Sequence, residues 1–247
     1  MQFPMGHCFV SVVIPCLDEA EAIGDVVRDV LAQGVDEVIV VDNGSTDDTA
    51  GQATAAGAKV VAQRERGYGR ACAAGLFAVS PASEIVCFLD GDGSDVPSFM
   101  PAVVGPVARR EADFVMGSRI RGRREAGSMT PQQLVAGWMA GVLIRNAYGV
   151  RYTDMSPFRA VRVDQLRAWQ MREMTYGWNL EMQMKAAAAG LRVLEVPVDH
   201  RLRQGGVSKV SGDLSAGLKA AWVITKTFVR LAATLKPKAS PSRPLHP

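Results

Sequence analysis

Three aspartates lie close together in the segment FLDGDGSD, at positions 88–95. They are Asp90, Asp92 and Asp95, and they follow the apolar run 85–89. Carboxylates this close repel one another, so a folded chain needs a cation or a ligand that offsets the repulsion. Two carboxylates at i and i+2 on a glycine-containing turn suit Mg²⁺ or Mn²⁺ bound together with phosphates. We therefore predict a divalent metal site here, the alternative being an acidic turn in solvent.

A second polar motif is VDNGSTDDT, at positions 41–49. Asp42 ends an apolar run, and Gly44 permits a turn that other residues resist. Ser45 or Thr46 is expected to cap the helix that follows. Capping does not account for Asp42, which can accept hydrogen bonds from a base or a ribose.

Basic residues cluster in two segments of the second half of the chain. The planar fork of arginine suits bidentate contacts with phosphate. We predict phosphate contacts for Arg119, Arg203 and Lys209, and assign Arg123 and Arg124 to a solvated loop.

Strands and helices alternate along the part of the chain that would position these side chains. Short β-branched runs predict strands at 10–14, 37–41, 59–62 and 84–89, and apolar residues at helical spacing predict a helix over 20–33. This alternation predicts an α/β fold with a mostly parallel central sheet and helices on both faces. Ligands bind beyond the carboxyl ends of such strands, and the acidic motifs fall there.

The second half is more mixed in its patterns. It predicts a strand end at 113–119, helices at 131–149 and 179–190, and a strand at 191–198. The glycine-rich segment at 64–75 has a cysteine where the last glycine of GxGxxG would stand, which disfavours a dinucleotide-binding dehydrogenase.

Composition limits the class of protein. A chain of 247 residues with 48% hydrophobic composition can bury a core for one large domain or two small ones. The net charge of +3 does not indicate nucleic-acid binding. The four cysteines form no CxxC pair, so we expect reduced thiols in a cytoplasmic protein without a signal peptide or a membrane span.

Four motifs in order, VVIPCLDEAEAI, VDNGSTDDT, GYGRACAAG and FLDGDGSD, resemble those of family-2 glycosyltransferases with the GT-A (Rossmann-like) fold. The likeness continues through GSRIRG, TDMSPFRAVR, YGWNLEMQMKAAAAG and VPVDHRLRQGGVSK. There the chain is most similar to the branch that makes polyprenyl-phosphate sugars, such as dolichyl-phosphate mannose synthases. The resemblance covers about residues 10 to 212, and the ordered set is more specific than any single motif.

The resemblance implies a role for each matching position. The nucleoside pocket would be lined by Pro15, Leu17, Glu19, Asp42 and Asn43. The donor and the metal would be held by Asp90, Gly91 and Asp92, and phosphates would be contacted by Arg119, Arg203 and Lys209. The mannose synthases carry a glutamine where this chain has Ser94, so the third protein ligand is open between Ser94 and Asp95. No QxxRW motif is present, which disfavours a processive polysaccharide synthase.

The implied activity is inverting transfer of a hexose from a UDP- or GDP-sugar, with a polyprenyl phosphate favoured as the acceptor. Negative charge that builds on the diphosphate would be stabilised by a cation at Asp92, with Arg203 and Lys209. A lipid phosphate is already anionic, whereas a hydroxyl acceptor needs a base, for which Glu181 is the candidate. The alternative for Glu181 is a surface glutamate on an amphipathic helix. The sugar, the nucleotide, the acceptor and the oligomeric state stay open.

Two other classes of protein fit the aspartate motif less well. Haloacid-dehalogenase-like phosphatases use the first aspartate of a similar motif as a nucleophile, but they usually place it on the first strand. A calcium-binding loop that began at Asp90 would need a glutamate where Pro101 stands. A non-catalytic protein with a relict nucleotide pocket is a further alternative.

The segment 214–235 predicts an amphipathic helix with a cationic stripe of Lys219, Lys226 and Arg230. We favour contact with an anionic lipid interface on the cytoplasmic face of a membrane, the alternative being packing on the catalytic domain or a partner. The predicted divisions are a GT-A domain at 1–212, this helix at 213–235 and a disordered tail at 236–247.

Overall fold

Seven strands form one sheet in the described part of the chain. The computed structural model describes residues 8–204 and 214–236, and only the backbone of residues 214–221 and 223. The strands are β1 (Val10–Cys16), β2 (Glu37–Asp42), β3 (Lys59–Ala62), β4 (Ile85–Phe88), β5 (Phe114–Ser118), β6 (Arg159–Arg162) and β7 (Val193–Pro197). Their order across the sheet is β3-β2-β1-β4-β6-β5-β7.

Helices follow most of the strands and cover both faces of the sheet. They are α1 (Ile23–Leu31), α2 (Thr49–Ala55), α3 (Tyr68–Ala78), α4 (Met100–Ala108), α5 (Pro131–Tyr148), α6 (Val163–Trp169), α7 (Trp178–Ala188) and α8 (Leu214–Thr234). A short 3-10 turn at Pro97–Phe99 precedes α4. The predicted strands and helices are all present, with ends shifted by at most three residues.

The sheet is parallel except at β6, which runs antiparallel to both of its neighbours, β4 and β5. The prediction of a mostly parallel sheet is therefore confirmed, whereas β6 itself was not predicted. Its sequence, RAVR, is short and begins with Arg159, which is fully buried. The Arg159 guanidinium donates to main-chain carbonyls, including that of Asn179 at 3.0 Å, and those bonds make its burial tolerable.

The central strands are apolar on both faces. Alternate residues of β1 enter two different cores, with Val13 in one and Val12 and Ile14 in the other. Strands that are buried on both sides read as continuous β-branched runs, which is why they could be predicted. Because β1, β2 and β4 are mutually parallel, the polar residues that follow them lie at one edge of the sheet.

Helix α8 packs against α5 and α7. Ile224, Thr227 and Leu231 are buried on its inner side, whereas Trp222 and Lys226 are exposed. One face of α8 therefore packs on the domain, which was the alternative prediction for this helix. The Lys219 side chain and residues 237–247 lie outside the described part. Among the described residues, no helix is both long and apolar enough to cross a bilayer.

Candidate active site

A cavity of about 460 Å³ lies beyond the carboxyl ends of β1, β2 and β4. It is lined by Pro15, Cys16, Leu17, Glu19, Asn43, Arg66, Gly67, Tyr68, Ala71, Asp90, Gly91, Asp92, Gln133, Thr175, Tyr176 and Arg203. Of the residues predicted for the nucleoside pocket, the metal pair and the donor, all except Asp42 line this cavity. Asp42 directly precedes the lining residue Asn43.

The aspartate loop after β4 is held by its own side chains. The amide of Asp90 donates to Asp95 Oδ2 at 3.0 Å, and the Ser94 hydroxyl donates to Asp92 Oδ1 at 2.6 Å. Gly91 lies so close to β1 that a Cβ at this position would overlap the sulfur of Cys16. A glycine is therefore required for the loop to fold back against the first strand and present Asp90 and Asp92 to the cavity.

Negative charge is concentrated in this loop. Desolvation, followed by the charges of Asp95 and Asp92, raises the pKa of Asp90 well above its usual range. Burial raises the pKa of Asp95 to about 6. Asp95 Oδ1 is buried and accepts no hydrogen bond from the described residues. Burial also lowers the pKa of the neighbouring His200 to about 4, so this imidazole is neutral at pH 7 and does not offset the charge.

The two candidates for a third metal ligand have different positions. Ser94 contacts Asp92 and orients its carboxylate, whereas Asp95 is 2% exposed and faces His200 beneath the loop. Neither residue lines the cavity. Within the described ranges, no group of three His, Cys, Asp or Glu side chains could hold a metal ion. The described part of the chain therefore offers the carboxylates of Asp90 and Asp92 to a metal ion rather than a closed coordination sphere.

The VDNGSTDDT motif fastens the loop that follows β1. The amide of Asp18 donates to Ser45 Oγ at 2.9 Å, and the amide of Thr46 donates to Asp18 Oδ1 at 2.7 Å. The prediction that Ser45 or Thr46 caps α2 is wrong, because the helix begins at Thr49 and Asp47 accepts the Thr49 amide. Both hydroxyl residues instead hold the loop that carries Glu19.

Asp42 and Asn43 also organise the main chain. Asp42 Oδ1 accepts the Ser45 amide at 2.9 Å. Asn43 Nδ2 donates to the carbonyls of Gln63 and Glu65, and Asn43 Oδ1 accepts the Gly67 amide at 2.7 Å. The side-chain amide of Asn43 therefore shapes the cavity wall at residues 63–67.

Arg203 lies at the cavity beside the acidic residues. Its Nη2 donates to Glu19 Oε1 at 2.8 Å and lies 3.7 Å from Asp92 Oδ2. The main chain next to it is fixed, because the amide of Gln204 donates to the Asp92 carbonyl at 2.8 Å. Arg203 therefore lines the same cavity as Asp90 and Asp92, and its contact with phosphate stays a prediction. Lys209 lies outside the described residues.

Arg119 does not occupy the predicted position. Its Nε and Nη2 donate to the two oxygens of Asp154, each at 2.8 Å, and both side chains are buried. The guanidinium is therefore committed to Asp154 and does not line the cavity. It acts on the site through its charge, which lowers the pKa of Asp90 and partly opposes the effect of burial.

Glu181 is neither an exposed glutamate nor a cavity residue. It is fully buried on α7, and its Oε2 accepts the amides of Arg172 at 2.9 Å and Glu173 at 2.7 Å. Lys185 Nζ lies 2.8 Å from its other oxygen. This geometry argues against Glu181 as a base, because its oxygens are occupied by groups that hold the segment 172–176.

Eight lining residues were not predicted for the site: Cys16, Arg66, Gly67, Tyr68, Ala71, Gln133, Thr175 and Tyr176. Tyr68 lies in the GYG motif, and its hydroxyl donates to Asp90 Oδ1 at 3.2 Å. Thr175 and Tyr176 belong to the segment held by Glu181. That segment packs on α3 so closely that a Cβ at Gly69 would overlap the Glu173 carbonyl. The GYG motif therefore indicates a close main-chain contact, but the sequence does not show that the contact is with residues 173–174.

Comparison with known proteins gives the class of protein. Residues 11–170 match the family described as Glycosyl transferase family 2. An uncharacterized glycosyltransferase of Mycobacterium tuberculosis is 37% identical over 218 residues, which is 85% of this chain and 94% of that protein. The chain belongs to glycosyl transferase family 2. The phosphatase alternative has no support from these matches.

Two further proteins are similar to this chain, one in sequence and one in fold. The undecaprenyl-phosphate mannosyltransferase of Micrococcus luteus is 29% identical over 220 residues, which is 83% of this chain and 88% of that protein. The crystal structure of glucosyl-3-phosphoglycerate synthase from Mycobacterium tuberculosis, in complex with Mn²⁺, UDP-glucose and phosphoglyceric acid, superposes with a TM-score of 0.70 at 24% identity. The superposition covers 94% of this chain and 82% of the synthase chain. This likeness confirms the predicted GT-A fold.

Proposed function

We propose that the chain transfers a hexose from a nucleotide diphosphate sugar to a polyprenyl phosphate, with inversion at the anomeric carbon. The cavity at the strand ends carries the proposal, because it combines the carboxylates of Asp90 and Asp92 with the guanidinium of Arg203. The name of the Micrococcus luteus relative supports a lipid-phosphate acceptor. Peripheral contact with a membrane follows as part of the same proposal.

The side chains of the aspartate loop fit a divalent cation. Mg²⁺ and Mn²⁺ prefer carboxylate and phosphate oxygens, and Asp90 and Asp92 would hold the ion together with the donor diphosphate. When bound, the cation would stabilise the negative charge that develops on the leaving nucleoside diphosphate. Burial first, and then the charges of Asp95 and Asp92, raise the pKa of Asp90, so a bound cation would favour the charged form of this carboxylate.

The protein's own groups position the donor side of the reaction. Arg203 places a positive charge beside Asp92, while Tyr68 donates to Asp90 and orients its carboxylate. The cavity carboxylates are Glu19, Asp90 and Asp92, and each contacts Arg203 or Tyr68. A phosphate acceptor needs no proton removed near neutral pH, so positioning suffices. The buried place of Glu181 therefore supports a phosphate acceptor over a hydroxyl acceptor.

The proposal is tested with a thermal-shift panel of UDP- and GDP-sugars, each with and without Mn²⁺, with Asp92→Ala as the control. One class of nucleotide sugar should raise Tm only when Mn²⁺ is present and only in the unmodified chain. Transfer of labelled sugar to a polyprenyl phosphate then tests the acceptor. Equal donor binding in chelator, or transfer to none of the lipid phosphates, would contradict the proposal.

The stabilising effect of Mn²⁺ should depend on pH. The pKa of Asp90 is raised in the fold, so without metal it holds a proton at pH values where the unfolded chain has lost it. The contribution of Asp90 to the stability of the metal-free fold therefore grows as pH falls, and protons compete with the cation for this carboxylate. We expect the rise in Tm caused by Mn²⁺ to be about twice as large at pH 8 as at pH 5.5. A shift that is independent of pH would count against Asp90 as a ligand.

Replacing Arg203 by Ala should lower kcat/KM by about 10²-fold, because the positive charge that lies 3.7 Å from Asp92 Oδ2 is lost. Arg201→Ala is the matched control, since its side chain is exposed and does not line the cavity. The kcat/KM of Arg203→Lys should lie between those of the two alanine variants, because lysine keeps the charge without the planar fork. Equal kinetics for the two alanine variants would remove Arg203 from the donor site.

A further inference from the structure

Helix α5 carries an apolar surface on its solvent side. Val135, Trp138 and Val142 recur at i, i+3 and i+7, which places them on one face of the helix. Their exposed fractions are 53%, 66% and 38%. The opposite face is also apolar, with Ala140 and Ile144 buried in the core. A surface helix in water normally carries polar or charged residues on its outer face, so the outer face of α5 is unusual.

The charged residues within α5 and α8 all have the same sign. The part of α5 at 131–144 contains no charged residue, and α5 and α8 together contain no Asp or Glu. The charged residues of the two helices are Arg145, Lys219, Lys226 and Arg230. Arg230 pairs with Glu173, whereas Arg145 and Lys226 are exposed and can complement an anionic surface.

A second exposed tryptophan lies on the neighbouring helix α8. Trp222 is 62% exposed, and Lys226 Nζ lies 4.7 Å from the centre of its ring. Tryptophan is enriched at the boundary between membrane and water, where one part of the ring system is apolar and the other is hydrated. Adjacent helices with exposed tryptophans and basic residues therefore match the composition of a lipid interface.

The dimensions of α5 favour lying along a membrane over crossing it. Fourteen uncharged residues at 131–144 extend about 21 Å, which is shorter than the roughly 30 Å of a hydrocarbon core. The first turn of the helix reaches the site, because Gln133 lines the cavity and its side chain closes a capping box with Thr130. Val135 follows two residues later, so the apolar face starts at the rim of the cavity.

We propose that the face formed by Val135, Trp138 and Val142 docks on an anionic lipid bilayer and so brings the cavity to a phosphate carried by the membrane. This inference rests on the proposed lipid-phosphate acceptor. It assigns the contact primarily to α5, with the exposed side of α8 beside it.

The first test measures insertion of Trp138 directly. The full chain is mixed with vesicles of phosphatidylcholine and phosphatidylglycerol that contain brominated lipid, and tryptophan fluorescence is recorded. We expect quenching that falls by about half or more in Trp138→Phe, a substitution that keeps an aromatic ring at an exposed site. Quenching that is identical in the two proteins would overturn the proposal.

The second test compares charge substitutions at two exposed sites. Trp138→Glu should weaken sedimentation with anionic vesicles by about tenfold or more. Phe77→Glu is the matched control, because Phe77 is 90% exposed on α3 and lies outside the cavity and the docking face. Equal losses in the two variants would overturn the assignment. So would a lipid-free dimer that Trp138→Glu converts to monomer, since the face would then bind a second copy.

Transfer assays separate this inference from the proposed function. In Trp138→Glu, transfer to a vesicle-borne polyprenyl phosphate should fall at least about tenfold more than transfer to the same acceptor in detergent. Vesicle binding through Trp138 without transfer to any lipid phosphate would leave the docking face intact and contradict the proposed function. Transfer from vesicles that is unaffected by Trp138→Glu would contradict the docking face and leave the function intact.

Discussion

Replacing Asp92 by Asn is expected to lower the rate of sugar transfer by about 10³-fold, because it removes a negative charge from the pair that would hold the cation. The substitution keeps the shape of the side chain, and the amide oxygen can still accept from Ser94, whose hydroxyl bonds Asp92 Oδ1 in the structure. The loop should therefore fold normally. The same variant should lose the Mn²⁺-dependent rise in Tm, which links the kinetic loss to metal binding.

The matched control for this variant is Asp25→Asn on α1. The Asp25 side chain is 66% exposed and pairs with Arg28, and it does not line the cavity. Transfer by this control should stay close to that of the unmodified chain. A fall of less than tenfold in Asp92→Asn, with its Mn²⁺ response preserved, would show that the cation is held elsewhere.

The features that sequence reasoning predicted well are local ones. The strands β1, β2 and β4 are buried on both faces, so each appears as an uninterrupted β-branched run. The aspartates directly follow β4, and parallel strands bring their carboxyl ends to one edge. That Asp90 and Asp92 line the same cavity as Glu19 and Asn43 could therefore be predicted without knowing any long-range contact.

The features that were missed depend on partners distant in sequence. Arg119 lies in the arginine-rich segment GSRIRG, which suggested phosphate binding, but its partner is Asp154, 35 residues further on. Nothing local distinguishes an arginine that binds phosphate from one that pairs with a buried carboxylate. Strand β6 was also missed, because Arg159 interrupts its apolar pattern and part of its hydrogen bonding comes from the distant Asn179 carbonyl.

Glu181→Ala is expected to lower the free energy of unfolding by about 3–5 kcal/mol, which is the cost of removing one partner from a buried ion pair. The carboxylate is fully buried, accepts the amides of Arg172 and Glu173, and lies 2.8 Å from Lys185 Nζ. Its loss would leave the two amides without their acceptor, whereas Lys185 Nζ would keep its bonds to the Trp169 and Gln170 carbonyls but lose its counter-ion. The segment 172–176 would then be released from α7, and the KM for the donor should rise because Thr175 and Tyr176 line the cavity.

Urea denaturation measures the loss of stability, and two further variants separate positioning from catalysis. Glu181→Gln keeps an acceptor for one amide, so it should retain kcat when rates are corrected for the folded fraction, whereas a base would lose it. Combining Glu181→Ala with Lys185→Met should recover part of the stability, because no buried charge is left unpaired. The exposed Glu21→Ala provides the control. If kcat falls about 10²-fold or more in fully folded Glu181→Gln, Glu181 would again be the candidate base.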